Sequence, residues 1–199
     1  MRDVYQAEIE VNLEVADRPV ETADDELVRS SLQGDRQSFR TLYRRHQQRV
    51  RQILYQLCDP PTLDDLVQDV FLRAWKGLPK FRQGSQFSTW LYRIAWNVAA
   101  DRRQTLARDR SQLHAISRSV ATEHEDPDLI QLHYQDLVRQ GLSALSEDHR
   151  SVLVLHDLEE LPQKEVAEIL DIPIGTVKSR LFHARSNMRE FLAASGIQL

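Results

Sequence analysis

Cysteine is almost missing from this chain: Cys58 stands alone in 199 residues. An intramolecular disulfide is therefore excluded, and the usage fits a reducing cytoplasm. Cys58 closes an apolar helical pattern and reads as an inert core thiol rather than a redox switch. Glycine and proline are scarce, six and seven respectively, and no glycine-rich phosphate loop occurs. No apolar run reaches the roughly 18 residues a membrane span needs. The opening MRDVYQAEIE is acidic instead of basic-then-apolar, so no secretory signal is expected, nor direct membrane insertion. His114, His124 and His133 match no zinc spacing and read as solvated. No nucleophile–base pair stands out. Asp64, Asp65 and Asp69 could suggest a metal site, but consecutive acids on a helix more often form a solvated or docking face. These absences predict a non-enzymatic protein without metal or cofactor.

What is present is helical pattern and an uneven distribution of charge. The net charge is −4. Residues 1–35 hold ten acids against Arg2, Arg18 and Arg29, a net −7, which leaves +3 on the remainder. Such a mild excess does not give tight DNA binding by counterion release alone, so a DNA-binding chain of this kind needs a larger partner. Residues 1–23 read as a disordered acidic tail. Within it Glu8–Val15 alternates apolar and polar with period two, which leaves open a cover over a basic surface or a strand added to a partner.

Helices follow the tail, and the fold class is all-α: two small helical domains joined by a flexible linker. Asp24 or Asp25 can cap a short helix closed by Gly34. Ser38 can open a long helix to about Leu57, with Phe39, Leu42, Tyr43, Val50, Ile53, Leu54 and Leu57 inside. Pro60 and Pro61 break it, and Thr62 caps the next. That helix buries Leu63, Leu66, Val67, Val70, Phe71, Ala74 and Trp75 and presents Asp64, Asp65, Gln68, Asp69 and Arg73 on its other face. A polar loop, residues 80–87, carries Lys80, Arg82 and Ser85.

The stretch Phe87–Arg103 combines aromatics with basic and amide groups. Ser88 is a plausible N-cap. Leu91, Ile94, Ala95 and Val98 fall on one helical face, and Arg93, Asn97 and Asp101 share another. Trp90, Trp96 and Arg103 accompany them. Aromatic rings stack on unpaired bases, Asn pairs with a base edge and Arg handles phosphate; an aromatic-rich core helix is the plainer alternative. The first domain is placed at 24–103. Residues 104–134 lose periodicity and read as a linker whose ends can be helical, long enough to favour two domains.

The second domain, 135–199, opens with Leu137, Leu142 and Leu145. Ser146 caps the next helix, with Glu147 and Asp148 in its first turn. Pro162 suits a first helical position. Residues 162–185 then have helix-turn-helix spacing: Val166, Ala167 and Leu170 inward, Asp171 in a turn needing left-handed backbone, and Val177, Leu181, Ala184 and Met188 as a buried stripe. Thr176, Lys178, Ser179, Arg180, His183, Arg185 and Asn187 face outward. Lys, Arg and His beside Ser and Thr suit a major groove and its phosphates.

Three blocks together resemble one family. They are Asp65-Leu-Val-Gln-Asp-Val-Phe71 with Trp75; Phe87-Ser-Thr-Trp-Leu-Tyr-Arg-Ile-Ala95 with Asn97 and Asp101-Arg-Arg103; and Ile172–Leu181 with Ala184-Arg185. In this order the chain resembles a bacterial RNA polymerase sigma factor of the extracytoplasmic-function (ECF) group, over about Asp24–Phe191. The resemblance implies a transcription-initiation factor that binds core RNA polymerase, recognises −35 and −10 promoter elements and helps open the −10 DNA. It implies that Asp64, Asp65, Gln68, Asp69 and Arg73 dock on polymerase. Lys80, Arg82, Ser85, Trp90, Arg93, Trp96, Asn97, Asp101 and Arg103 would take single-stranded −10 DNA. Thr176, Lys178, Ser179, Arg180, His183 and Arg185 would take duplex −35 DNA. An anti-sigma factor is implied as a further partner. The chain departs from the family at Glu160, Pro162, Asp171 and His183, which bears on promoter choice rather than fold. A stand-alone helix-turn-helix activator is the alternative; it leaves the first two blocks unexplained.

Overall fold

The computed structural model describes the backbone of residues 20–58, 62–81, 84–113 and 127–197, and the side chains of 24–58, 62–81, 84–105 and 136–197. Every regular element among the described residues is helical. The amino-terminal bundle comprises α1 (Val20–Leu32), α2 (Arg36–Leu57), α3 (Leu63–Gly77), a 3-10 turn (Leu78–Lys80) and α4 (Phe87–Leu113). The carboxy-terminal unit comprises α5 (Pro127–Ala144), α6 (Glu147–Leu153), a π turn (Val154–Leu158), α7 (Gln163–Leu170) and α8 (Ile174–Ala194).

Helices α1, α3 and α4 surround α2. The apolar stripe of α2 enters the core at Leu42, Val50, Ile53, Leu54 and Leu57. It meets Leu66, Val67, Val70, Phe71 and Ala74 of α3, and Leu91, Ala95, Val98 and Ala99 of α4. Trp75 lies at the margin, 38% exposed, with its ring edge-on to Phe39 at 4.8 Å. Cys58 is half-buried, its sulfur 3.8 Å from the Ala99 carbonyl oxygen.

Several helix starts differ from those the sequence suggests. Helix α1 begins at Val20, so Asp24 and Asp25 lie inside it and cap nothing. Asp35, not Ser38, caps α2: its carboxylate accepts from the Gln37 N–H at 2.9 Å and from the Ser38 hydroxyl at 2.7 Å. Thr62 occupies the α3 cap position without a side-chain bond. Helix α4 starts at Phe87, which places Ser88 in its first turn, and Ser88 donates to Gln86 instead. Pro162 is the N-cap of α7, one residue before the helix. Helix α4 also runs to Leu113, well into the stretch read as linker. The tail at 1–19, Arg82, His114, His124 and the His133 side chain fall outside the described residues.

In the carboxy-terminal unit α8 packs against α5, α6 and α7. Ser146 caps α6 as expected, accepting from the His149 N–H at 3.4 Å. Asp171 holds φ 56, ψ 45 and ends α7, the left-handed turn the spacing requires. Val177, Leu181 and Ala184 are buried, with Met188 packed against them. Gly141 of α5 lies close against α8: a Cβ there would be 2.5 Å from Met188 Sδ and 3.0 Å from Phe191 Cδ1.

The two units touch along one seam, where α4 lies against α7 and α2 meets the π turn.

Candidate docking and nucleic-acid faces

Helix α3 divides its residues as the pattern predicts except at Trp75, expected inside but exposed at the margin. Leu66, Val67 and Val70 point inward, while Asp64, Asp65, Gln68 and Arg73 are exposed and Asp69 is half-exposed. Asp64 pairs with Arg51 of α2. Arg73 bonds Asp69 one turn back at 3.2 Å and Asp101 of α4 at 2.9 Å. Both carboxylates raise the Arg73 pKa from its ordinary value, Asp101 more than Asp69. Asp101, grouped with the α4 residues by sequence, thus joins the α3 set.

The α4 set spreads over three situations. Trp90 is held in a ring cluster, 5.0 Å from Phe81 and 5.8 Å from Phe87 between centroids. Gly77 makes room for it, since a Cβ there would meet Trp90 Cζ2 at 3.1 Å. Lys80 and Asn97 are exposed and Ser85 is half-exposed. Arg93, Trp96 and Arg103 lie on the seam. Arg93 donates to the Glu168 carbonyl and to the Ile169 carbonyl at 3.3 Å, with the Asp171 carboxylate 3.6 Å away. Trp96 Nε1 donates to the Ser151 hydroxyl at 3.0 Å. Arg103 donates to the Leu57 carbonyl at 3.0 Å and to Glu147 at 2.6 Å.

Under the seam is a polar network that sequence reasoning missed. Asp24 and His46 are both buried; His46 Nε2 lies 2.6 Å from the Asp24 carboxylate and Arg45 donates to it at 2.8 Å. Burial alone would raise the Asp24 pKa, but the bonds and charges of His46 and Arg45 outweigh it and hold it below the usual carboxylate value. Burial pushes the Tyr92 phenol up to about 12, and its oxygen lies 3.5 Å from His46 Nδ1. Arg49 stands over the Tyr92 ring, 6.0 Å from its centroid, and pairs with Glu159 of the other unit at 3.4 Å. Burial raises the Glu159 pKa, although Arg49 opposes the shift. Asp24, Arg45, His46, Arg49 and Tyr92 border a cavity of about 870 Å³ between the units. Among the described residues no cluster of three or more His, Cys, Asp or Glu is placed to hold a metal ion.

On α8 the outward residues fall into a rim and a crest. Arg180 is tied to Asp148 at 2.6 Å, and Arg185 to Asp157 through two bonds at 2.8 and 2.6 Å. That pairing raises the Arg185 pKa. Thr176 is half-exposed; Lys178, Ser179 and His183 are exposed. His183 stacks on His149, with ring centroids 6.1 Å apart. Phe182 stands between these groups at 67% exposure, the largest value among the exposed large hydrophobics. Sequence reasoning passed over it, although its position opposite the Val177–Leu181–Ala184 stripe was a usable signal.

Two stretches of the chain match known family models. Residues 42–109 match the model of Sigma-70 region 2, and residues 135–188 that of Sigma-70, region 4. The ECF RNA polymerase sigma-E factor of Haemophilus influenzae is 34% identical over 172 residues, covering 81% of this chain and 91% of the relative. The chain belongs to the ECF RNA polymerase sigma factors. The sigma-E factor of Escherichia coli K12 is likewise 34% identical, with coverage of 81% and 90%. Among solved structures, CnrH in complex with the cytosolic domain of CnrY aligns at TM-score 0.68 and 27% identity, covering 86% of this chain and 98% of that one. The sigma factor RpoE of Bartonella quintana, solved with the anti-sigma factor NepR, aligns at 0.63 and 26%, covering 78% and 96%. As a sigma factor the chain is a promoter-recognising initiation factor that works with core RNA polymerase. A stand-alone helix-turn-helix activator would account for region 4 and leave the region 2 match without a purpose. No described helix is long and apolar enough to cross a membrane.

Proposed function

We propose that this sigma factor divides its work between residues 24–103, which bind core polymerase and −10 DNA, and residues 135–199, which bind the −35 duplex, joined through 104–134. The observation that carries this reading is the segregation of exposed groups on separate helices. Carboxylates and an amide gather on α3. Aromatic and basic groups lie on α4, and basic and hydroxyl groups on α8. Asp64, Asp65, Gln68 and Asp69 dock on the polymerase, with Arg73 held in place by Asp101. Lys80, Arg82, Ser85, Arg93, Trp96, Asn97 and Arg103 take the unpaired −10 strand and help open it, while Trp90 shapes the surface beneath them.

On α8, Lys178, Ser179 and His183 meet base edges and phosphate, with Thr176 at the helix start. Arg180 and Arg185 exchange their carboxylates for phosphate. Phe182 joins them as an apolar contact for a thymine methyl. Two weak DNA contacts on one polymerase-bound chain gain by effective concentration, which answers the mild charge excess. The factor acts in the cytoplasm and catalyses no reaction itself. An anti-sigma protein is its regulatory partner, as in the solved complex of RpoE with NepR.

Size-exclusion chromatography with bacterial core RNA polymerase, with and without residues 1–22, tests this. Co-elution of the full chain is expected. Co-elution only after truncation would make the acidic tail an inhibitor, and none with either form would return the chain to a stand-alone DNA binder.

A further inference from the structure

We propose that the stacked rings of His149 and His183 form a proton-linked phosphate site on the −35 face. Each ring takes a proton from solvent as it meets duplex phosphate, so α6 adds a DNA contact of its own and −35 binding tightens as pH falls; this rests on the reading of α8 given above. His183 is exposed on the outward side of α8, and His149 is half-buried on α6 beside it. Their ring centroids are 6.1 Å apart and their planes lie 24° from parallel. Among the described residues neither imidazole has a hydrogen-bond or ion-pair partner. An arginine at position 183 would bring a fixed charge. A histidine brings a conditional one, since imidazole ordinarily changes charge near about pH 6.5.

The charged groups on the elements packed around the pair are engaged or face elsewhere. On α6, Glu147 binds Arg103, Asp148 binds Arg180, and Arg150 holds the carbonyls of Leu142, Ser143 and Leu145. In the π turn Asp157 binds Arg185, and His156 meets the Leu161 carbonyl at 2.7 Å. Asp136 of α5 binds Arg139. On α7, Lys164, Glu165 and Glu168 line the cavity between the units, and Asp171 faces Arg93. Farther along α8, Arg189 is exposed and Glu190 accepts from Ser186. Acids therefore neutralise Arg180 and Arg185, and from Thr176 to Arg185 Lys178 is the cation without one among the described residues. Two charged imidazoles would add to it substantially. In the free chain, charging both rings sets two like charges side by side. Against the duplex each imidazolium gains a charge-assisted bond to phosphate, and at this separation in water the repulsion between them is the smaller effect. The gain is complete below the pH at which the free rings charge and is lost as pH rises past the point at which the bound rings discharge.

The test uses the full chain on core polymerase and a labelled duplex that this holoenzyme selects from a random-sequence pool. Affinity is compared between about pH 8 and about pH 6, with the double variant His149→Gln, His183→Gln as the baseline. Relative to it the wild type should gain about 25-fold toward acid, and each single Gln variant about fivefold. The slope of log affinity against log salt should steepen at the lower pH by about 0.9 for each ring that charges. His183→Arg should hold its affinity at about pH 8 and keep only the His149 share of the pH response, which separates charge from any folding defect. Equal pH profiles in the wild type and the double variant would overturn the pair. So would a response carried by His183 alone, with His149→Gln matching the wild type. Arg180→Ala tells this failure from that of α8, since it should weaken binding alike at both pH values. A selected duplex that Arg180→Ala weakens, bound by the wild type without a pH response, removes the pair and leaves the reading of α8. If no duplex sequence is enriched and Arg180→Ala changes nothing, that reading fails and takes the pair with it.

Discussion

The proposed docking face on α3 leaves one of its acids open, whereas the arginines of the proposed DNA faces on α4 and α8 are paired. On α3, Asp65 and Gln68 stand exposed in solvent. On α4 and α8 four arginines are already engaged: Arg93 and Arg103 by region 4, Arg180 by Asp148, Arg185 by Asp157. A carboxylate in water is ready for a partner. A guanidinium tied to a carboxylate must first exchange it, which costs affinity but fixes the side chain's direction beforehand. On the proposed assignment of these faces, the pairing favours polymerase first and DNA second, an order that limits unproductive binding by a free chain.

The largest expected effect comes from breaking the docking side alone. Asp65→Arg with Gln68→Ala should abolish co-elution with core polymerase, whereas Arg180→Ala should spare co-elution and weaken −35 binding. If each variant lost both activities, the separation of faces would be wrong. Next is the buried pair beneath α4. Asp24→Ala leaves His46 and Arg45 without their acceptor and should cost about 3 kcal/mol of bundle stability, measured by urea unfolding. The same carboxylate sets a pH limit. Its folded pKa is depressed, so its stabilisation is complete above the unfolded value of about 3.9. The stabilisation is lost as pH falls through the lower folded value. Asp24→Asn should flatten that acid limb of the unfolding curve.

Phe182→Ala should weaken −35 duplex binding by about tenfold, the scale of one good base contact. Replacing thymine by deoxyuridine in the duplex should mimic the loss for the wild type and add nothing for the variant; an additive loss would remove Phe182 from the base edges. Gly141→Ala forces a Cβ against Met188 and Phe191 and should lower the melting temperature of region 4 by the equivalent of about 1 kcal/mol, leaving region 2 unchanged. The smallest effect runs the other way. Asp171→Gly removes a side chain from a left-handed position and should stabilise region 4 by about 0.5–1 kcal/mol in thermal unfolding. A loss of stability there would mean that the exposed Asp171 carboxylate gains more from Arg93 than its backbone costs.

Periodicity made much of this legible beforehand. The α8 stripe, the Ser146 cap and the left-handed Asp171 each follow from local spacing and local stereochemistry, and the structure has all three. The polar pairs were not legible, because pairing across the chain leaves no periodic trace. Thr89 and Glu165 are 76 residues apart, and Trp96 and Ser151 are 55. His46 is polar and sits in the helix beside a run of arginines, so nothing in α2 announces that it is buried; its partner Asp24 belongs to another helix. Asp35 enters the sequence reading only through the charge of residues 1–35, yet it starts α2, because the carboxylate nearest the first free N–H groups outcompetes the hydroxyl of Ser38. Periodicity places Arg180 and Arg185 outward, and only tertiary packing supplies their partners Asp148 and Asp157.

All three tryptophans of the chain, Trp75, Trp90 and Trp96, lie in the amino-terminal half. Trp96 reaches across the seam with its indole N–H. The factor therefore carries its own optical gauge: with Trp75 and Trp90 replaced by Phe, ultraviolet emission would come from one indole whose surroundings change from a serine hydroxyl to bulk water when the halves part. Stopped-flow mixing with core polymerase would then time that parting without any attached dye.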